Sequence, residues 1–441
     1  MSCRRFRARS GLPCRSCNEI VLRNRRTWRR GTLPRMLVAL AALATALGGC
    51  AGGPLLANPA AQRPAATVAP KASPTTARDP VPIILPADDA PHHRLTEWWY
   101  YTGHLRDEAG GTWGFEFVVF RAERGGFPVS WASHLALTDE SGGRFMYAQR
   151  SAVGGAVDQS SGSRVFNFAI GRSNASGAGQ SDETPWRMGR ANGADLLQAT
   201  AQSDEAAGTA PTGAGGTGAG ATAPGATGAG SPSFGLDLLL RAQTMPVLHN
   251  RVGWIDFGAA GGSYYYSRTR LSAAGAVSVG GRRLTVDGTA WFDHQWGDFI
   301  AVGGGGWDWF ALNLDDGSDI TLLLVRDRDG SYPLVYGTVV QRDGTVRHLV
   351  RDAFSVAVSG RWHSPTSGAD YPAGWQVTLP AEGLRIDLKP TVADQELDTR
   401  PTTGVVYWEG SQRVTASRNG RSIGGQAYVE LTGYAPPPPT P

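Results

Sequence analysis

The chain has 441 residues, of which 42 are basic, 38 are acidic and 41% are hydrophobic. The first 49 residues hold eleven of the basic side chains and one of the acidic ones, so residues 50–441 carry 31 basic and 37 acidic side chains and a net charge of about −6. This excess of acid disfavours a nucleic-acid-binding protein, and the length is sufficient for two domains with buried cores.

An apolar run, Val38–Gly49, follows an arginine-rich stretch near the beginning of the chain. It is too short to remain in a bilayer, which needs a helix of roughly 20 residues, and it has the basic flank of a signal-peptide core. The run ends in Leu47-Gly48-Gly49-Cys50, which resembles the lipobox of bacterial lipoprotein precursors. We therefore predict that residues 1–49 are a lipoprotein signal peptide and that a lipid on Cys50 anchors the mature chain to a membrane of the cell envelope, facing the periplasm or the outer surface. The alternative is an ordinary secretory signal with a chance cysteine.

Three stretches have too few large apolar side chains to form a core. Residues 50–87 are rich in Ala, Pro and Thr and predict a disordered tether. A Gly, Ala and Thr tract at about 201–233 predicts a disordered insert, and residues 435–441 predict a disordered proline-rich tail.

Between these stretches, apolar residues recur at every second position. In one such segment Trp113, Phe115, Phe117 and Val119 share a face, which is typical of a half-buried strand. Further predicted strands are Trp131–Leu137, Leu236–Arg241, Ser263–Thr269, Ile320–Val325, Leu334–Val340 and Tyr428–Thr432. The turn pairs between strands include Asp316-Gly317, Asp329-Gly330 and Asp343-Gly344. Many short strands at this spacing predict an all-β protein built from antiparallel barrels or sandwiches.

Four aromatic segments are more distinctive than ordinary strands. They are Glu97–Leu105 (EWWYYTGHL), Tyr264–Arg270 (YYYSRTR), Trp291–Gly297 (WFDHQWG) and Tyr407–Gly410 (YWEG). Together they resemble the carotenoid 1,2-hydratase (hydroxyneurosporene synthase) and AttH lipocalin-like family over about residues 88–434. The resemblance implies two consecutive lipocalin-like (calycin) antiparallel β-barrel domains, one over 88–298 and one over 299–434. It also implies the activity of enzymes that add water to a terminal double bond.

Asp293 is the candidate catalytic residue. It matches the acid of a Tyr-x-Asp element in the carotenoid hydratases, although the aromatic neighbour here is Trp291. Hydration of an isolated alkene requires a proton donor in a dry pocket that tolerates a carbocation. A carboxyl among Trp291, Trp296 and Trp309 would have its charged form disfavoured by burial, and the indole rings would stabilise the cation.

Strand alternation places Trp291, Asp293 and Gln295 on one side and His294 on the other. If the first set faces a cavity, His294 is structural. The alternative interpretation is that residues 293–295 form a buried polar network at the junction between the barrels and carry no chemistry.

The candidate ligand-binding residues come from the aromatic segments and their polar neighbours. They are Trp98, Trp99, Tyr101, Arg121, His249, Tyr266, Trp291, Gln295, Trp296 and Trp309. For the aromatic residues the alternative is an ordinary core. For Arg121, a contact to an acidic ligand head competes with a plain buried salt bridge.

Metal and cofactor signals are weak. His104, His134 and His249 are well separated and show no metal-ligand spacing, so we predict neither a metal nor a cofactor. No Gly-x-Ser-x-Gly elbow occurs, which argues against a serine hydrolase of that type.

Two functions compete, and both require an apolar or amphipathic ligand of terpenoid or lipid-like character. In the first, the protein is a hydratase or cyclase that uses Asp293. In the second, it is a non-catalytic carrier or an accessory protein of an envelope transporter. A purely structural envelope protein is a third class, and it would need no open cavity.

Overall fold

The structure is a computed structural model that describes residues 79–160, 162, 164–171, 184–203, 233–299 and 305–436. The predicted signal peptide, Cys50, most of the tether, nearly all of the insert and the last five residues lie outside these ranges.

The described residues form twenty-four β-strands and a few short 3-10 turns. The strands are β1 Thr96–Asp107, β2 Thr112–Ala122, β3 Ser130–Asp139, β4 Arg144–Val153, β5 Asn167–Ile170, β6 Trp186–Ala191, β7 Ala194–Gln202, β8 Ser233–Ala242, β9 Val247–Leu248, β10 Trp254–Asp256, β11 Gly262–Val279, β12 Arg282–Gly297, β13 Gly306–Leu314, β14 Asp319–Arg326, β15 Leu334–Val340, β16 Val346–Val350, β17 Ser355–Val358, β18 Arg361–His363, β19 Asp370–Pro372, β20 Trp375–Leu379, β21 Leu384–Pro390, β22 Glu396–Asp398, β23 Val406–Arg418 and β24 Arg421–Thr432. The turns are Ala87–Asp89, Gly155–Val157, Gly258–Ala260, Arg351–Ala353 and Pro380–Glu382.

The all-β prediction is confirmed, and each further predicted strand falls within an observed one: β3, β8, β11, β14, β15 or β24. The Asp-Gly turn pairs also occur as turns, in which Gly317, Gly330 and Gly344 have φ angles of 89°, 81° and 84°. Glycine adopts this left-handed conformation without a steric penalty. No helix in the described ranges has the length and apolar character needed to span a membrane.

The strands form two large antiparallel sheets that follow one another in the chain. The first, which we call the first barrel, has the order β4-β3-β2-β1-β12-β11-β8-β7-β6-β5, with β9 and β10 paired to β11. The second, which we call the second barrel, has the order β16-β15-β14-β13-β24-β23-β21-β20-β17, with β22 paired to β23. The first sheet is a nearly closed barrel and the second is a half-barrel, in agreement with the expected lipocalin-like architecture.

The two barrels pack against each other along strands that are buried on both faces. In β12 the alternation of exposed and buried residues ends at Ala290, and every residue from Ala290 to Gly297 is buried. One face of this stretch covers the interior of the first barrel, and the other contacts the second barrel. We call the contact surface the junction. Its apolar centre contains Tyr100, Val118, Trp291, Trp309, Ala311 and Tyr428.

Candidate functional site

Strand β12 turns its aromatic segment to two different environments, as the strand alternation predicts. The set that faces the interior of the first barrel consists of Phe292, His294 and Trp296. The set on the junction side consists of Trp291, Asp293 and Gln295. Gln295 donates from Nε2 to Ser263 Oγ at 2.8 Å. The candidate acid therefore lies between the barrels rather than inside one.

The Asp293 carboxyl accepts hydrogen bonds from three side chains. Trp291 Nε1 donates to Oδ1 at 2.7 Å, and the Ser267 hydroxyl donates to the same oxygen. The Tyr265 hydroxyl donates to Oδ2 and itself accepts a hydrogen bond from Trp309 Nε1 at 3.0 Å. Because Trp309 belongs to the second barrel, both barrels contribute to the environment of this acid.

Burial raises the pKa of Asp293 to about 6, although the hydrogen bonds from Ser267, Tyr265 and Trp291 oppose that effect. The side chain is only 3% exposed, so its charged form has lost most of its hydration. A pKa near neutrality means that both the acid and the carboxylate are populated at working pH, which general acid–base catalysis requires.

A hydrogen-bonded chain leads from Asp293 into the second barrel through His249. The His249 Nε2 atom lies 2.6 Å from Ser267 Oγ, and its Nδ1 atom lies 3.2 Å from Thr338 Oγ1. Burial lowers the pKa of His249 to about 3, so the ring is neutral. Since Ser267 donates to Asp293, the neutral ring carries its proton on Nε2 and accepts from Thr338 at Nδ1.

Three further carboxyls lie at the junction near Asp293. Glu116 comes from β2 of the first barrel, whereas Glu409 and Glu430 are directly opposite each other on β23 and β24. Tyr100, which is opposite Asp293 in the β1–β12 pairing, lies among them. The Glu116 Oε1 atom accepts a hydrogen bond from the Tyr407 hydroxyl at 2.8 Å.

These acids are shifted toward the neutral form. Burial raises the pKa of Glu116 to about 8 and that of Glu430 to about 7. Burial also raises the pKa of Glu409 well above its ordinary value, and the charges of Glu116 and Glu430 add to this effect. Among the described residues no arginine or lysine forms an ion pair with any of these carboxyls.

The remaining ligand-binding candidates divide between the two faces. Trp98 lies at the edge of the junction and is partly exposed, with its ring 5.7 Å from that of Phe299. The candidates buried inside the first barrel are Trp99, Tyr101, Tyr266, Trp296 and Arg121. The structure therefore brings Trp98, His249, Trp291, Gln295 and Trp309 together with Asp293 at the junction, and it places the others on the opposite face of the same sheet.

Inside the first barrel, the aromatic candidates pack around ionised groups. The Trp99 indole donates to the Asp89 carbonyl at 3.0 Å, and the Tyr266 hydroxyl donates to the Asp89 carboxylate. The Arg121 guanidinium lies 3.8 Å from Glu97 Oε2 and pairs with Glu123, so the salt-bridge interpretation describes its position.

One group in the described ranges has metal-ligand geometry. Ligand atoms of His92, Glu97 and His294 lie within 4.8 Å of one another. In the structure, His92 Nδ1 and His294 Nε2 lie 2.7 Å and 3.0 Å from Glu97 Oε1, so the two rings satisfy the carboxylate by hydrogen bonds. The absence of a metal remains a prediction from the sequence.

Sequence reasoning missed the residues that complete the Asp293 environment. Tyr265 and Ser267 occur in the aromatic segment Tyr264–Arg270. Because they are two residues apart, they lie on the same face of a strand, and this spacing could have identified them. Glu409 occurs in the Tyr407–Gly410 segment, where the Trp408 ring covers Gly410 so closely that an added Cβ would lie 2.0 Å from it. This packing holds Trp408 inside the second barrel and turns Glu409 to the junction.

The fold and the site define a class of protein: two consecutive β-barrels with buried acids where they meet. The AttH-like family matches residues 76–209 and 212–434, and the chain belongs to this family. A crystal structure of an AttH protein from Nitrosomonas europaea is similar, with a TM-score of 0.62 and 28% identity, over 80% of this chain and 98% of that one.

Two relatives carry names that describe an activity. Kievitone hydratase from Nectria haematococca shares the fold, with a TM-score of 0.53 and 15% identity, over 83% of this chain and 98% of that one. The dehydratase asqC of Emericella nidulans is 24% identical over 173 residues, which is 37% of this chain and 48% of that protein. The chain thus spans about half the length of this curated relative.

Proposed function

We propose that this protein is an enzyme of the hydro-lyase type, which adds water to a carbon–carbon double bond of an apolar or amphipathic small molecule, or removes it. The observation that carries the proposal is Asp293, a buried carboxyl beside the indoles of Trp291 and Trp309 with a pKa of about 6. The names of the dehydratase and the hydratase among the relatives agree with this reaction class.

The chemistry follows from the groups around Asp293. In the hydrating direction, the protonated carboxyl gives its proton to one alkene carbon, and the electron pair of the double bond forms the new C–H bond. The positive charge that develops on the other carbon is stabilised by the faces of Trp291 and Trp309, whose ring centroids are 6.2 Å apart. A water oxygen then forms the C–O bond and releases a proton.

The direct test uses paired compounds related by loss of water. Linalool with myrcene and nerolidol with farnesene are the probes, and gas chromatography measures their interconversion. Asn has nearly the size of Asp but carries no transferable proton, so Asp293→Asn should reduce turnover about a hundredfold or more. The exposed residue Asp352 provides the control variant Asp352→Asn, which should behave as wild type. Normal turnover by Asp293→Asn contradicts the role of Asp293, and a wild type that converts none of these compounds contradicts the terpenoid class.

The carrier function is the second candidate, because the aromatic rings at the edge of the junction are incompletely covered. Trp98, Phe120 and Trp307 are only partly buried and would accept an apolar ligand whether or not it reacts. A carrier, or an accessory protein of an envelope transporter, would show tryptophan quenching by these compounds with equal affinity in wild type and Asp293→Asn, and it would show no turnover.

We also propose that the enzyme works from a membrane surface of the cell envelope through the lipid on Cys50. The support is the sequence around that cysteine. Wild type should partition into a detergent phase, whereas Cys50→Ala should accumulate as an unprocessed precursor. Identical fractionation of both as soluble mature protein would contradict the anchor.

A further inference from the structure

The second barrel places one carboxyl, Glu409, at the junction without a hydrogen bond of normal geometry, although the Tyr100 hydroxyl lies close enough to interact with it. Glu409 is 0% exposed, and neither Oε1 nor Oε2 accepts a hydrogen bond of normal geometry from the protein. Another buried acid of this barrel, Glu396, shows the contrast: it accepts hydrogen bonds from Ser364, Ser367 and Tyr371. The poor hydrogen bonding is therefore a property of the position of Glu409.

Tyr100 provides an independent observation at the same place. Its hydroxyl is buried and makes no hydrogen bond of normal geometry in the structure, and its side chain is 6% exposed. Burial raises its pKa, and the charges of Glu409, Glu430 and Glu116 add to the shift together with a hydrogen-bonding interaction with Glu409, so the hydroxyl lies among these carboxyls and next to Glu409. Nearby, the Glu116 Oε2 atom is also without a partner.

Unsatisfied buried polar atoms are rare in folded proteins, since each has lost its water without a replacement. Here a hydroxyl and a carboxyl from opposite barrels are unsatisfied in the same region. A phenol and a carboxyl can each both donate and accept, so together they match a ligand oxygen that bears a hydrogen atom.

The position of this pair relative to Asp293 is fixed by the sheet. Tyr100 and Asp293 are directly opposite each other on neighbouring strands. The Tyr100 ring also packs edge-on against Trp309 at 5.4 Å, and the charge of Asp293 contributes to the raised pKa of Glu409. Asp293 and the Glu409–Tyr100 pair thus lie at the same aromatic region of the junction.

We propose that Glu409 and Tyr100 bind the hydroxyl oxygen that the reaction adds or removes, and that Glu409 exchanges a proton with this oxygen while Asp293 exchanges one with the adjacent carbon. This inference rests on the proposed function and assigns the second acid–base group of that site. It also specifies the ligand class: an apolar molecule with a single hydroxyl group next to the reacting carbon.

In the dehydrating direction, the Glu409 carboxylic acid gives its proton to the hydroxyl, and the C–O bond breaks with its electron pair so that water leaves. The Asp293 carboxylate removes a proton from the adjacent carbon, and the electrons of that C–H bond form the double bond. Hydration is the reverse, and solvent protons restore the two carboxyls afterwards.

The electrostatics of the junction agree with this division of roles. The pKa of Asp293 is about 6, whereas burial and the charges of the neighbouring acids raise the pKa of Glu409 well above its ordinary value and favour its neutral form. An acid and a base whose pKa values are separated by their environments are the arrangement expected for a general acid and a general base.

The first test is a comparison of binding. Tryptophan fluorescence titrations with linalool and myrcene, and with nerolidol and farnesene, compare an alcohol with a hydrocarbon of similar shape. Wild type should bind each alcohol about tenfold more tightly than its hydrocarbon. This preference should disappear in Glu409→Leu and fall in Tyr100→Phe. The control Glu382→Gln, which changes an acid in the turn Pro380–Glu382 after β20, should retain it. Equal binding of alcohol and hydrocarbon by wild type, or no binding of any of the four, would overturn the proposal.

The second test separates the two acids by isotope. Linalool is incubated with the enzyme in oxygen-18 water, and the label in the recovered alcohol reports breakage and re-formation of the C–O bond. Incubation in heavy water reports proton exchange at carbon through deuterium in the recovered alcohol. Asp293→Asn should lose deuterium incorporation and keep oxygen exchange, whereas Glu409→Gln should lose oxygen exchange at least about tenfold.

The outcomes distinguish this inference from the proposed function. If wild type forms alkene and Glu409→Gln exchanges oxygen at the wild-type rate, the hydro-lyase function stands and the role of Glu409 is wrong. If wild type shows no conversion or exchange but binds the alcohols preferentially through Glu409 and Tyr100, the hydro-lyase function and the proton exchange are wrong and only the binding half of this inference stands.

Discussion

The sheet of the first barrel buries ionisable groups on both faces, one toward the barrel interior and one toward the junction. The two faces differ in how these groups are paired. Inside the first barrel, Arg268 donates to both oxygens of Asp89 at 2.6 Å and 2.8 Å, and Arg190 pairs with Asp195 at 2.5 Å. Around Asp293 at the junction, the carboxyls of Glu116, Glu409 and Glu430 form no ion pair with a basic side chain of the described ranges, whereas Asp319, elsewhere between the barrels, pairs with Arg270 at 2.6 Å. Interior charges are thus arranged for stability.

The junction acids have the opposite character. A buried carboxyl without a counter-charge costs stability, and such groups are concentrated where function requires a shifted pKa. The comparison therefore supports placing the proposed site on the outer face of the first barrel, although the inner face contains more of the tryptophan, tyrosine and arginine candidates predicted from the sequence.

The largest effect should come from breaking the interior pair. Arg268→Met leaves Asp89 buried without its main counter-charge, and the lost contacts include the guanidinium over the Phe292 ring at 4.9 Å. We expect the free energy of unfolding, measured by urea denaturation, to fall by about 3–5 kcal/mol. The double variant Asp89→Asn with Arg268→Met should recover part of this loss. A loss below about 1 kcal/mol would mean that the interior pair is not the stabilising element we infer.

A smaller effect should appear in the pH dependence of the free energy of unfolding, and it should have opposite signs for acids on the two faces. The pKa of Glu116 is raised to about 8, so the folded state holds a proton that the unfolded state has released. Stability conferred by the neutral form is complete below about pH 4.5 and is lost as the pH rises toward about 8. Glu116→Gln should therefore gain stability relative to wild type over this window, by on the order of 1–3 kcal/mol.

Glu97 provides the counterpart on the inner face. Burial alone would raise the pKa of Glu97, but hydrogen bonds from His294 and His92 hold it below its usual range. The unfolded state then takes up the proton first on acidification, so wild type loses its advantage over Glu97→Gln as the pH falls below about 4.5. Denaturation series at several pH values measure both trends. Parallel trends in the two variants would contradict the distinction between the faces.

How much of this could be predicted from the sequence depends on the range of the interaction. The alternation of Trp291, Asp293 and Gln295 against His294 follows from the strand period alone. The strand period shows only which residues share a face. It does not show which face lines the interior of a barrel and which contacts the other barrel. Glu409 is far from Asp293 in the sequence, and only the packing of two complete barrels brings them to one region. Local patterns contain no signal of that contact.

The smallest effect should be that of Glu409→Gln on stability. The carboxyl accepts no hydrogen bond of normal geometry and burial favours its neutral form, so an amide of the same shape, whose oxygen can still face Tyr100, removes little interaction. We expect the free energy of unfolding to change by less than about 0.5–1 kcal/mol. The matched variant Glu396→Gln removes an acceptor from a carboxyl that Ser364, Ser367 and Tyr371 all contact, and it should cost about 1–3 kcal/mol. Differential scanning calorimetry of both proteins measures the contrast. If Glu409→Gln destabilises the fold as much as Glu396→Gln does, Glu409 has a structural partner, and its lack of one could no longer indicate a ligand site.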